Sequence, residues 1–180
     1  MAKTTPQTKQ IDVPTAGRYR LDPALSSVTF RTRHIFGLAG VKGTMPIIGG
    51  DIVLDPGVPE ADVTVTLNAA AFNTGHTRRD GDVSKPRFLN VDRYPEMTFR
   101  AHRPGALKRS EGRLSLNGEL TVRGVTKPVT LSIDTVETTG MGFRATATTR
   151  IDRYAFGLTA SKGMAARHLD VELTVVAQPV

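Results

Sequence analysis

The stretch "RLSLNGELTV", Arg113 to Val122, puts Leu114, Leu116, Leu120 and Val122 on one side of an extended chain and Ser115, Asn117, Glu119 and Thr121 on the other. Side chains alternate faces every second residue in a strand but share a face every 3.6 residues in a helix. The segment therefore reads as a strand with one face on a core and the other in water. The same period runs outward in both directions. Ahead of it, "SVTFRTRH" places Val28, Phe30, Thr32 and His34 opposite Thr29, Arg31 and Arg33. "DVTVTLN" aligns Val63, Val65 and Leu67, and "EMTFRAH" aligns Met97, Phe99 and Ala101. Behind it, "PVTLSID" aligns Val129, Leu131 and Ile133, "FRATATT" aligns Phe143, Ala145 and Ala147, and "DVELTVV" aligns Val171, Leu173 and Val175. Threonine is common on the polar faces, where its β-branched side chain suits a pleated backbone.

Turn chemistry falls between these segments: "GG" at Gly49 and Gly50, "DPGVPEA" from Asp55, "RPGALKRSEG" from Arg103, "RGVTKP" from Arg123 and "TTGMG" from Thr138. About eight to ten one-sided strands with short connections make an antiparallel sandwich or a closed barrel. Closure removes the exposed edges that long amphipathic strands would leave, and Gly37, Gly40 and Gly43 supply the bends it needs. The expected fold class is all-β.

The chain has 180 residues, enough for one domain with a single core. Residues 1–16 are rich in Thr, Gln, Lys and Pro and read as a flexible tail ahead of a barrel domain at 17–178. The tail lacks the apolar stretch and small-residue cleavage site of a secretory signal, so the expected location is cytoplasmic, or periplasmic or secreted if a signal was removed. No run approaches the roughly 18 apolar residues of a transmembrane helix. With no cysteine there is no disulfide, thiolate nucleophile or thiolate metal ligand. The formal charge of +7 points to nucleic acid, an anionic membrane surface or acidic ligands as partners, but the basic residues are scattered along the sequence. The lack of interleaved aromatics for base stacking argues against nucleic acid.

One long gap interrupts the strands, "AAFNTGHTRRDGDVSKPRFLNVDRYP" from Ala70 to Pro95. A stretch of this length in a compact domain is functional or a cap. Thr74 is placed to cap a short helical turn and Ser84 a second one near Pro86. Phe72, Val83, Phe88, Leu89 and Tyr94 are the apolar residues available to point onto a barrel end, and Arg79 and Asp80 can tie the segment to the rim by charge-assisted hydrogen bonds. The four histidines, His34, His76, His102 and His168, show no zinc spacing. Asp80 and Asp82 lack the other ligands of a calcium loop, and no Gly-x-Ser-x-Gly elbow is present. No metal, cofactor or catalytic set is expected.

The ordered segments "YRLDPALSSVTFRTRH", "VKGTM", "FNTGHTRRDGDVSKPRFLNVDRYPEMTFRA", "GRLSLNGELTVRGVTKPVTLSI" and "IDRYAFGL" closely resemble the YceI-like family of lipocalin-like polyisoprenoid-binding domains, over Gly17 to Ala177. The resemblance implies an extended eight-stranded antiparallel barrel with a short helical cap segment and an apolar interior that holds a long isoprenoid chain. Arg79 and Asp80 match the family's Arg-Asp pair, which implies a cap or rim role. A filled core and a tunnel lining use the same residue types; the family favours a lining made by Phe30, His34, Val65, Leu67, Phe72, Phe88, Met97, Phe99, Leu116, Leu120, Val122, Phe143 and Phe156. Arg31, Arg33, Arg78, Arg79 and Arg87 are candidate donors to a ligand head group, and "TASKGMAARHLDVEL" is expected to form a lid opposite the cap. The expected function is non-enzymatic binding, sequestration or transport of a polyisoprenoid or isoprenoid quinone-like lipid, and the family admits a homodimer. The alternative is a filled barrel whose basic surface binds nucleic acid or anionic membrane.

Overall fold

The computed structural model describes residues 13–34, 39–55, 60–102, 104–140 and 142–180. Its strands are β1 (Gly17–Leu21), β2 (Ser27–His34), β3 (Ala39–Met45), β4 (Ile47–Leu54), β5 (Ala61–Asn68), β6 (Glu96–Ala101), β7 (Leu107–Ser110), β8 (Arg113–Val122), β9 (Val125–Thr139), β10 (Gly142–Asp152) and β11 (His168–Pro179). They pair antiparallel in the order β1-β4-β5-β6-β8-β9-β10-β11, and β11 returns to β1. β2 pairs β11 through Ser27–Arg31 just beyond β1, so β1 and β2 are one interrupted stave. β3 and β4 flank Pro46 in the next stave, and β6 and β7 lie end to end along β8. Eleven strands thus make eight staves of a closed up-and-down barrel.

Ser26 holds the first interruption. Its hydroxyl accepts the Val176 N–H at 3.0 Å and donates to the Val176 carbonyl at 3.4 Å, replacing the ladder bonds lost at the break. Neighbouring Leu25 points outward and is 52% exposed.

Two expected turns are strand instead. Gly49 and Gly50 lie inside β4, beside a register shift between Ile47 and Gly49, because a Cβ at Gly50 would stand 2.5 Å from the Thr64 carbonyl oxygen. The "RPGALKRSEG" stretch contains β7, with Leu107 buried opposite Leu116. By contrast Arg123 and Gly124 form a two-residue hairpin turn, both at positive φ (52° and 74°), as a tight right-twisted hairpin requires.

In a meander, successive connections alternate between the two ends. The β2–β3, β5–β6, β8–β9 and β10–β11 connections share one end, and both termini leave from the other. The lid expected opposite the cap therefore lies beside it: residues 69–95 and 153–167 crown the same end.

The inward faces are not equally packed. Val63, Val65, Leu67, Met97, Phe99, Leu114 and Leu116 on β5, β6 and β8 are all buried. Val129, Leu131, Ile133, Ala145, Val171, Leu173 and Val175 on β9, β10 and β11 are inward-facing yet only partly buried. Apolar side chains that point inward and still meet accessible space border a void.

Candidate functional site

That void is a cavity of about 480 Å³, within the range of small-molecule sites. Its wall includes Phe30, Val65, Leu67, Met97, Phe99, Leu116, Leu120, Val122 and Phe143 from the strands and Phe72, Phe88 and Phe156 from the connections. The side chain of His34 lies outside the described residues. Away from the crowned end the lining is made by buried Leu54, Ala61, Leu107 and Leu114, by Phe143, whose ring meets Tyr19 edge-on at 5.1 Å, and by Val13 and Pro14 ahead of β1. At the crowned end the cavity meets polar and exposed groups: Arg33, Arg79, Asp82, Arg87, Ser161 and Met164. This end is the mouth.

One side of the mouth is the 69–95 segment. Asn68 caps a 3-10 turn at Ala69–Ala71, and Phe72 then turns inward to stack on Phe30 with ring centroids 5.1 Å apart. Gly43 makes this possible, since a Cβ there would lie 2.2 Å from the Phe30 ring and 2.8 Å from the Asn73 carbonyl. Asn73 exchanges both backbone hydrogen bonds with Thr44 of β3, at 2.8 and 3.1 Å. The helix α1 (Thr77–Ser84) follows, capped by His76 rather than by Thr74.

Thr74 has another task. The Asp80 carboxylate accepts its N–H at 3.1 Å and its hydroxyl at 2.6 Å, while Arg79 Nε donates to its Oγ1 at 2.7 Å. Arg79 and Asp80 thus grip Thr74, the residue after the one paired to β3. Burial pushes the Asp80 carboxyl up, but the Thr74 and His76 hydrogen bonds and the Arg79 charge outweigh it and hold the group below its usual value. Asp80 also sits in the first turn of α1, where the helix dipole favours an anion. Ser84 caps no second helix; its hydroxyl donates to the Asp80 carbonyl at 2.9 Å, and residues 86–89 form a turn.

The other side is residues 153–167, organised by Arg153. Its side chain is buried, and it donates to the carbonyls of Ala166 (2.8 Å), Ala160 (2.9 Å), Ala165 (3.0 Å) and Leu158. Burial lowers its pKa from the ordinary value, though an arginine stays protonated at neutral pH. Beside it, Arg167 bonds the Asp152 carboxylate at 2.6 Å and holds that group down at about 2.

The YceI-like domain model matches residues 19–178. The chain belongs to the YceI-like family. A UPF0312 protein of Shewanella baltica (strain OS185) is 32% identical over 158 residues, 84% of this chain and 81% of that protein. Protein YceI of Escherichia coli O6:H1 is 39% identical over 105 residues, 58% of this chain and 53% of its own. The crystal structure of BcnA from Burkholderia cenocepacia superposes with a TM-score of 0.75 at 20% identity, over 88% of this chain and 99% of that one. A polyisoprenoid binding domain from Saccharophagus degradans superposes with a TM-score of 0.62 at 14% identity, over 90% and 98%. At these identities the structural likeness is one of fold.

Within this YceI-like barrel the candidate head-group arginines separate. Arg33, Arg79 and Arg87 border the cavity; Arg78 does not, and Arg31 points outward, 3.6 Å from Glu172. Sequence reading missed Arg153 and Met164. Burial of Arg153 follows from the shape of a loop closed by distant carbonyls, which no local pattern announces. Among the described residues, no group of three His, Asp or Glu side chains stands close enough to hold a metal.

Proposed function

We propose that the protein is a non-enzymatic carrier that takes a long apolar molecule, a polyisoprenoid or isoprenoid quinone-like lipid, into the barrel. The observation that carries this reading is the cavity, whose strand-derived wall is almost wholly aliphatic and aromatic and whose polar groups gather at one mouth. Such a wall offers a flexible chain burial at roughly 0.8 kcal/mol per CH₂ and offers few polar groups to a reaction. The polyisoprenoid binding domain of the same fold supports the choice of ligand class. A filled barrel acting only through its surface leaves the partly buried inward side chains of β9, β10 and β11 without a reason.

The test is organic extraction of the gently purified protein with mass spectrometry of the extract, followed by titration with polyprenols and quinones. A stoichiometric isoprenoid, or saturable uptake of one, is expected. A blank extract together with no uptake overturns the reading.

A further inference from the structure

Part of the basic charge that the sequence scatters is gathered by the fold. The described connections at the mouth, residues 69–95, Arg123–Gly124 and residues 153–167, carry nine Lys and Arg against three Asp, a net +6. The connections at the opposite end, residues 55–60, Glu111–Gly112 and 140–141, hold Asp55, Glu60 and Glu111 and no Lys or Arg, a net −3. The connections around the opening of the apolar cavity are therefore strongly basic and those at the far end acidic, while the strands and the N-terminal residues carry the remaining +4. Met164, 54% exposed, stands in this basic ring while bordering the cavity.

We propose that the mouth docks on an anionic lipid bilayer, where the cavity exchanges its cargo. The ring supplies the attraction to acidic head groups, which acts within a Debye length and draws the barrel in mouth-first. Met164 supplies an apolar contact in the head-group layer. The proposal rests on the apolar-carrier reading, because a long apolar cargo crossing open water would expose its whole length, and a mouth held on the bilayer avoids that.

The aromatic rings at the mouth favour a membrane over nucleic acid. Tyr154 is covered by Arg153, Lys162 and Arg167 at 4.8, 5.1 and 5.4 Å, Phe88 by Arg87 at 5.5 Å and Tyr94 by Arg93 at 5.3 Å. Phe72 is stacked on Phe30 and Phe156 is buried, and each of the three other rings already has a cation over it, which leaves less ring surface for bases to stack on.

The experiment is co-sedimentation of the full chain with vesicles of phosphatidylcholine alone and of phosphatidylcholine with about one-third phosphatidylglycerol, at low and physiological salt. Partition onto the acidic vesicles only, weakening with salt, is expected. The triple variant Arg78→Gln, Lys85→Gln, Lys162→Gln is expected to lose on the order of 100-fold in partition, since each cation near an anionic surface contributes about fivefold. The triple variant Arg18→Gln, Lys108→Gln, Arg113→Gln removes the same charge from the far end and is expected to change partition only a few-fold. Equal losses from the two triples, or equal partition onto neutral vesicles, overturn the proposal. Tighter binding to DNA than to acidic vesicles, lost in the mouth triple, overturns it in favour of a nucleic-acid partner. Vesicle binding that persists while polyprenol uptake is absent supports docking and sinks only the cargo.

Discussion

Arg153 carries a full positive charge into the protein, and its donors go to four backbone carbonyls rather than to a carboxylate. Those carbonyls belong to residues 158–166, which have no strand of their own, so one guanidinium fork does the work of a ladder. Truncation leaves several acceptors without donors and a loop without its anchor. Arg153→Ala is expected to cost about 3 kcal/mol in urea unfolding and to open residues 157–167 to proteolysis. Arg153→Lys is expected to recover less than half of that, because an ammonium concentrates its three donors at one point and cannot span carbonyls held apart by the planar fork. A loss under about 1 kcal/mol in the alanine variant would show that this connection holds itself.

At the scale of elements, β8 shows why alternation could be read and where it could not. Its inward row of Leu114, Leu116, Leu120 and Val122 is broken at Gly118, and the Phe99 ring of β6 lies in the space a side chain would take. A Cβ at Gly118 would stand 2.4 Å from Phe99 Cζ and 2.6 Å from the Arg100 carbonyl oxygen. The ring could turn aside, but the backbone could not, so Gly118→Ala is expected to destabilise the fold by about 1–3 kcal/mol, measured as a lower urea midpoint at unchanged slope. Strands with an unbroken row, such as β5, β6 and β10, were legible because a half-buried strand must alternate. Glycines that exist for close approach, at Gly50 in β4, looked like turns, and short β7 was lost inside a polar stretch. Those losses also hid the geometry of the mouth. Which end a connection occupies depends on the parity of staves before it, and parity is wrong until β6 and β7 are seen as one stave. The inward lining residues were readable from their period, whereas the meeting of the 69–95 and 153–167 segments was not.

For the whole molecule, the decisive property is that the barrel is packed on one wall and open on the other, a difference in volume that residue types cannot reveal. Ala145 on β10 pairs with Val136 and Val175 and borders the cavity, whereas Ala101 on β6 is 2% exposed and lies in the packed wall. A phenylalanine at each position asks the same question of the two walls. At Ala101 it has no room, and overpacking is expected to cost about 1–3 kcal/mol or to block folding. At Ala145 the ring enters existing space, so stability is expected to hold or to rise by about 1 kcal/mol as apolar area is buried. The same ring occupies volume the cargo needs, and Ala145→Phe is expected to take up at least tenfold less polyprenol, the equivalent of about 1.4 kcal/mol. Urea midpoints and uptake titrations of the two variants, run side by side, check this. Equal destabilisation at both sites would mean that the wall of β9, β10 and β11 is as tightly packed as the other. Stability kept at Ala145 with uptake unchanged would place the cargo away from this wall.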